Sequence, residues 1–198
     1  MTEEITYRPT EEADLPEIRA INARYILNTS ITLKRAVPPL SSFLTKHQSL
    51  QARGLPHLVA VDRPADGAED RVLGYACLSP YRSSHPPTTE LSLFVHPDHQ
   101  SRAVGSALLA RVLARVRAEE VVHRWRDEND ADRVVVPTVV RSVIAVMAVD
   151  PEGKEGGEAL RRFYAKRGFE ERGRLVKAGL KRGHWVDIIH FQFSTLED

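Results

Sequence analysis

Apolar and polar positions along the chain fall into blocks that predict alternating strands and helices. Residues 5–8 (Ile5-Thr6-Tyr7-Arg8) read as a short strand. Asp14-Leu15-Pro16-Glu17 reads as a helix start, with Asp14 as cap and Glu17 bonding back to it, and Ile18, Ile21 and Tyr25 share one face of the helix. A second helical pattern puts Leu40, Phe43, Leu44 and Leu50 on its buried side and stops at Gly54, with Pro56 just beyond. The runs 57–61 and 72–78 are separated by Pro64-Ala65-Asp66-Gly67, which predicts two antiparallel neighbours. Residues 91–95 form another strand. Leu108, Val112 and Val116, backed by Leu109 and Leu113, predict a helix over 104–117.

Past that helix, an insert at about 122–137 contains His123-Arg124-Trp125-Arg126-Asp127-Glu128-Asn129-Asp130. It is too charged and unpatterned for core and is expected to be a solvated loop. Residues 139–149 form a long apolar run that suggests a strand buried on both faces. A helix follows from about 158 to 167, ending at Gly168, and two closing strands, 174–180 and 185–193, flank Lys181-Arg182-Gly183. This order predicts an α/β protein of the α+β kind: one domain over 1–198, with a mixed, mostly antiparallel central sheet and helices on both faces.

Composition agrees with a globular chain, since 42% of its 198 residues are hydrophobic and 28% charged. With 28 Lys+Arg against 27 Asp+Glu the formal charge is +1, so no global pull toward nucleic acid or an anionic membrane is expected, and an anionic ligand would need a local site. The single cysteine, Cys77, lies in an apolar run and reads as core rather than nucleophile. His96 and His99 lack cysteine or carboxylate support and read as loop histidines, so no metal is expected. The polar start of the chain and the absence of an apolar run long enough to span a bilayer suggest a soluble, cytoplasmic protein without membrane attachment.

Local anion chemistry concentrates between residues 91 and 117. A turn entering a helix presents unpaired N–H groups, and the helix dipole adds positive potential, so a diphosphate can bind there without a large basic patch. Ser101, Ala103, Gly105 and Ser106 keep side chains off the backbone, and Arg102 could add a charge-assisted contact. This segment resembles the coenzyme A pyrophosphate loop of the GNAT family, in which Gln or Arg, two residues, Gly, one residue, then Gly or Ala occur in order. Gln100, Ala103 and Gly105 occupy those positions. Alanine replaces the usual glycine at Ala103, which costs roughly 1 kcal/mol if the local φ is positive and little if it is helical.

The resemblance covers nearly the whole chain. Leu91-Ser92-Leu93-Phe94-Val95 and Phe163-Tyr164-Ala165-Lys166-Arg167-Gly168-Phe169 look like GNAT segments in the expected order. More narrowly, Arg53-Gly54-Leu55-Pro56, the stretch Gly74-Tyr75-Ala76-Cys77-Leu78-Ser79-Pro80-Tyr81-Arg82, Thr88-Thr89-Glu90-Leu91-Ser92 and Lys181-Arg182-Gly183-His184-Trp185-Val186-Asp187 resemble the phosphinothricin acetyltransferase-like branch. That resemblance implies acetyl-CoA as cosubstrate, acetylation of the amino group of a small amino-acid-like compound by direct transfer, and a homodimer.

It also implies roles for individual residues. Glu90 matches the general base, acting directly or through a water. Tyr164 matches a tyrosine near the coenzyme sulfur that protonates the leaving thiolate or only positions it; histidine often stands there in the branch. Leu93, Phe94 and Val95 would meet the pantetheine and thioester oxygen, and Gln100, Ser101, Arg102, Ala103, Val104, Gly105 and Ser106 the pyrophosphate. An asparagine that often binds the coenzyme is Gly157 here, so that contact is missing or supplied elsewhere. Tyr81 and Arg82 could contact the acceptor's carboxylate and its apolar neighbour, though 83–87 is shorter than the branch's segment and lacks its aromatic and basic residues. His184 and Trp185 either line the acceptor site or begin the last strand. A coenzyme-binding sensor without turnover, or transfer to peptide amino termini or aminoglycosides, remain alternatives, and the insert could cover the acceptor site or extend a dimer contact.

Overall fold

The computed structural model describes residues 5–62, 70–82, 85–126 and 134–196. The expected turn at Pro64-Ala65-Asp66-Gly67, Ser83, Ser84 and the middle of the insert, 127–133, lie outside them. In chain order the elements are β1 (Ile5–Pro9), α1 (Leu15–Asn28), α2 (Leu40–Ala52), β2 (His57–Asp62), β3 (Arg71–Pro80), β4 (Thr88–Val95), α3 (Val104–Arg117), β5 (Val122–Arg126), β6 (Val135–Val139), β7 (Ser142–Ala148), α4 (Glu158–Ala165), β8 (Glu170–Lys181) and β9 (His184–Ser194). Seven strands form one sheet in the order β1-β2-β3-β4-β7-β9-β8. Every pairing in it is antiparallel except β4 with β7.

Helices cover both faces, which is why the middles of β2 (58–61) and β3 (72–78) are continuously apolar or small instead of alternating. On one face Ile18, Ile21 and Tyr25 of α1 pack on Val59, Val61, Val72 and Tyr75. On the other, Leu108, Leu109 and Val112 of α3 pack on Ala60, Leu73, Ala76 and Leu78. Cys77 is buried within β3.

Three local expectations change. Asp14 does not cap α1. Its buried carboxylate is taken by Arg8 in a two-pronged contact at 2.7 and 2.8 Å, a charge-assisted pairing stronger than a cap, and it accepts a bond from the Glu11 N–H. Glu17 accordingly reaches across to the Val72 N–H at 2.8 Å. On α2, Leu50 is buried but Leu40 is exposed; the buried partner of Leu50 there is His47.

The insert is not simply a loop. β5 and β6 pair as a separate two-stranded sheet, held at its base by Val121 and Val140, both 0% exposed, and by buried His123, whose Nδ1 lies 3.0 Å from the Pro86 carbonyl. The long run 139–149 breaks at Val140-Arg141, where Arg141 pairs with Glu119 and Val140 donates to the Val121 carbonyl. In β7 itself, Val143, Ala145 and Met147 are buried while Val146 is 39% exposed, so only one face is core. The other face borders a cavity.

Candidate active site

The parallel pair β4–β7 holds only from Thr88↔Ser142 to Glu90↔Ile144. Beyond it β4 stays on β3 as far as Val95↔Gly74, and β7 stays on β9 as far as Ala148↔Ile188, so the two middle strands splay apart. At the ends of β4, Tyr81 N–H donates to the Thr88 carbonyl and His96 N–H to the Leu73 carbonyl. Even-numbered residues of β4 therefore spend their backbone groups on β3, and those of Leu91, Leu93 and Val95 point into the gap. The Val95 carbonyl on that side accepts from the Tyr25 hydroxyl at 2.5 Å.

A cavity of about 1030 Å³ runs through the gap. Glu90 lines it and shares a sheet face with Phe94, which packs under α1 and α2. Tyr164 lines it too, from the opposite layer, with its ring stacked on Phe191 at 5.5 Å and edge-on to Phe169 at 5.3 Å. Burial pushes the Tyr164 hydroxyl up to about 12, so it stays protonated. The gap thus places a carboxylate and a phenol on opposite sides of a row of unused peptide groups.

At its far end the cavity meets the turn before α3. Ser101 (φ 68°) and Ala103 (φ 59°, ψ 7°) are both left-handed, and the first helical bond runs from Ala107 N–H to the Ala103 carbonyl. The N–H groups of Val104, Gly105 and Ser106 precede that ladder, as an anion site at a helix start requires. Gly105 also admits its neighbours: a Cβ there would stand 3.2 Å from Val95 Cγ2. Gln100 donates to the Tyr25 hydroxyl at 2.9 Å, tying the turn to α1.

The acetyltransferase (GNAT) domain family matches residues 54–171, more than half of the chain. The chain belongs to the GNAT acetyltransferases. It is 28% identical over 189 residues to a phosphinothricin N-acetyltransferase of Alcaligenes faecalis, covering 94% of this chain and 81% of that protein. An L-methionine sulfoximine/L-methionine sulfone acetyltransferase of Pseudomonas aeruginosa is 26% identical, covering 92% and 90%. A phosphinothricin acetyltransferase from Sinorhizobium meliloti, solved in complex with acetyl-CoA, superposes with a TM-score of 0.73 at 25% identity over 96% of this chain and 88% of that one.

GNAT enzymes use acetyl-CoA, and the splayed strands, unused peptide groups and left-handed turn fit a long molecule with a diphosphate in its middle. Leu93, Phe94, Val95, Gln100, Ser101, Ala103, Val104, Gly105 and Ser106 all line the one cavity with Glu90 and Tyr164. Arg102 does not; its guanidinium turns to buried Asp62, 3.6 Å away, which also holds Arg71 at 2.9 Å. Arg167 instead reaches the first turn of α3, where it donates to Ser106 Oγ while lying over the Phe163 ring.

Tyr81, Arg82 and His184 also stand outside the cavity lining. Arg82 lies over the Tyr81 ring at 5.7 Å, and His184 lies 3.6 Å from Glu152 at the start of β9. At Gly157, where the resemblance leads one to expect an asparagine, φ is 94° and a Cβ would meet Val149 Cγ1 at 3.0 Å, so the backbone there calls for glycine. Among the described residues no group of three or more His, Cys, Asp or Glu gathers to hold a metal, and no helix is long and apolar enough to cross a membrane.

Proposed function

We propose that this enzyme transfers an acetyl group from acetyl-CoA directly to the amino group of a small amino-acid-like acceptor. The observation that carries the proposal is the pairing of Glu90 and Tyr164 across one cavity, on either side of the strand splay. The relatives named for phosphinothricin and methionine sulfoximine support the acceptor class.

Bound acetyl-CoA supplies a thioester whose carbonyl carbon accepts the amine. Glu90 takes the proton that the acceptor ammonium must lose, directly or through one water, and so frees the nitrogen lone pair. The N–H groups of Leu93 and Val95, aimed into the gap, stabilise charge on the carbonyl oxygen as the C–N bond forms. Tyr164 gives its hydroxyl proton to the sulfur as the C–S bond breaks, and the second proton that the nitrogen sheds on becoming an amide restores it through solvent. Its raised pKa keeps that proton in place at neutral pH. No covalent enzyme intermediate is needed. Val104, Gly105 and Ser106 hold the diphosphate by their backbone.

Steady-state assays with acetyl-CoA and a panel of amino acids test this reading. Glu90→Gln should lower kcat by about 100-fold or more, the range of a lost general base, with acetyl-CoA affinity kept. A variant with wild-type kcat and an unchanged pH profile would remove Glu90 from the mechanism.

A further inference from the structure

Where the α1–α2 segment and α2 flank it, the cavity carries two lysines that the transfer chemistry leaves unused; a third, Lys154, lines it just before α4. Lys34 stands in the segment between α1 and α2, and Lys46 on α2 itself; both are exposed and both line the cavity that holds Glu90. Among the described residues neither ammonium meets a carboxylate. The same cavity is lined by apolar Ile31, Phe43 and Phe94 and by uncharged polar Asn22, Thr29 and Ser42. Asp150, the other carboxylate lining the cavity, is committed to the N–H groups of Ser30 and Glu152 at 2.9 and 3.1 Å.

An amine bound at Glu90 therefore shares its cavity with apolar side chains and with two ammonium groups that no carboxylate holds. We infer that Lys34 and Lys46 hold an oxyanion of the acceptor, a carboxylate in the case of an amino acid, and so select amines that carry one. This assignment rests on transfer occurring at Glu90. It gives the role expected of Arg82 to the α1–α2 side of the site, because Arg82 lies outside the cavity. An oxyanion bridging two lysines gains charge-assisted bonds to both, and it loses less hydration than a fully buried group would.

The test compares an amino acid with its decarboxylated amine, using L-methionine sulfone and 3-(methylsulfonyl)propan-1-amine. The wild type should prefer the amino acid. Lys46→Met and Lys34→Met should each raise its KM by about 3–10-fold with little change in kcat, leave the KM of the decarboxylated amine alone, and regain part of the loss as Lys→Arg. Both lysines are exposed, so folding of the variants is not at issue. Equal use of the two acceptors by the wild type would overturn the clamp while leaving transfer intact. So would a KM rise in Arg82→Ala with none in the lysine variants. If the wild type acetylates no amine at all, transfer at Glu90 itself fails and the clamp falls with it.

Discussion

At Ala103 the chain turns through φ 59° and ψ 7° immediately before α3, with Ala107 bonded back to its carbonyl. That conformation costs a residue with a Cβ about 1–2 kcal/mol through its clash with the backbone, and glycine escapes it. The alanine is therefore not absorbed into the helix; the turn holds it in the left-handed region against the side chain's preference. Ala103→Gly should stabilise the protein by about 0.5–1 kcal/mol, once the greater freedom of glycine in the unfolded chain is deducted. Thermal unfolding would read this as a Tm rise on the order of 2 °C. Acetyl-CoA titration should show affinity kept or improved, because the peptide groups that face the anion stay where they are. A fall in Tm would mean that the turn relaxes out of the left-handed region in solution.

Among the elements, α1 does more than cover the sheet. Its Tyr25 hydroxyl donates to the Val95 carbonyl at the open edge of β4 and accepts from Gln100 in the turn, while its ring packs on Phe94 at 5.2 Å. Burial raises the Tyr25 pKa, so the hydroxyl remains a donor at neutral pH. One side chain thus sets the position of the splayed strand relative to the anion turn. Tyr25→Phe keeps the ring and removes both bonds, each worth about 0.5–1.5 kcal/mol. Calorimetry should then show acetyl-CoA binding weakened by about 5–10-fold; loss of stability with unchanged binding would make the link purely structural. Helix α3 was legible because Leu108, Leu109, Val112, Leu113 and Val116 repeat at helical spacing over Val104–Arg117. Tyr25 was not, since an aromatic on an apolar helix face looks the same whether or not its hydroxyl has work. The β5–β6 pair was hidden by charge: exposed Arg124 and Arg126 alternate with His123 and Trp125, and with no aliphatic residue among the four the alternation does not stand out as a strand. Arg102 sits beside the turn in sequence, but the buried Asp62 at the end of β2 takes its guanidinium, and only the folded path reveals that pull. Lys34 and Lys46, polar positions in a connecting segment and on an amphipathic helix, gain meaning only when both meet the cavity of Glu90.

For the whole molecule, the acid limit of stability should be felt through the junction of α2 with the start of β2. There His47, 1% exposed, lies with its Nδ1 3.1 Å from that of His57, and His57 Nε2 is buried with no hydrogen-bond partner among the described residues. Burial first, then the neighbouring His47 and Lys46, lower the His57 pKa from 6.5 to about 3, against a smaller opposing pull from Asp14. The folded protein thus holds His57 neutral where the unfolded chain would protonate it. Its contribution to stability is complete above pH 6.5 and declines as pH falls from 6.5 toward 3, at no more than about 1.4 kcal/mol per pH unit. The carboxylates with depressed pKa values, Glu155 and Asp187, begin from 4.5 and 3.8, so they add their losses lower down. His99 and His123 are also lowered by burial and give the same sign in the same window, so a variant must separate the contributions. Urea midpoints measured between pH 7 and 4.5 should fall steadily for the wild type. His57→Gln removes the titrating ring, and its midpoint should fall less steeply across that interval even if its value at pH 7 is lower. Identical slopes for the two proteins would show that His57 is protonated as readily in the folded state as in the unfolded chain, and that the junction opens without global unfolding.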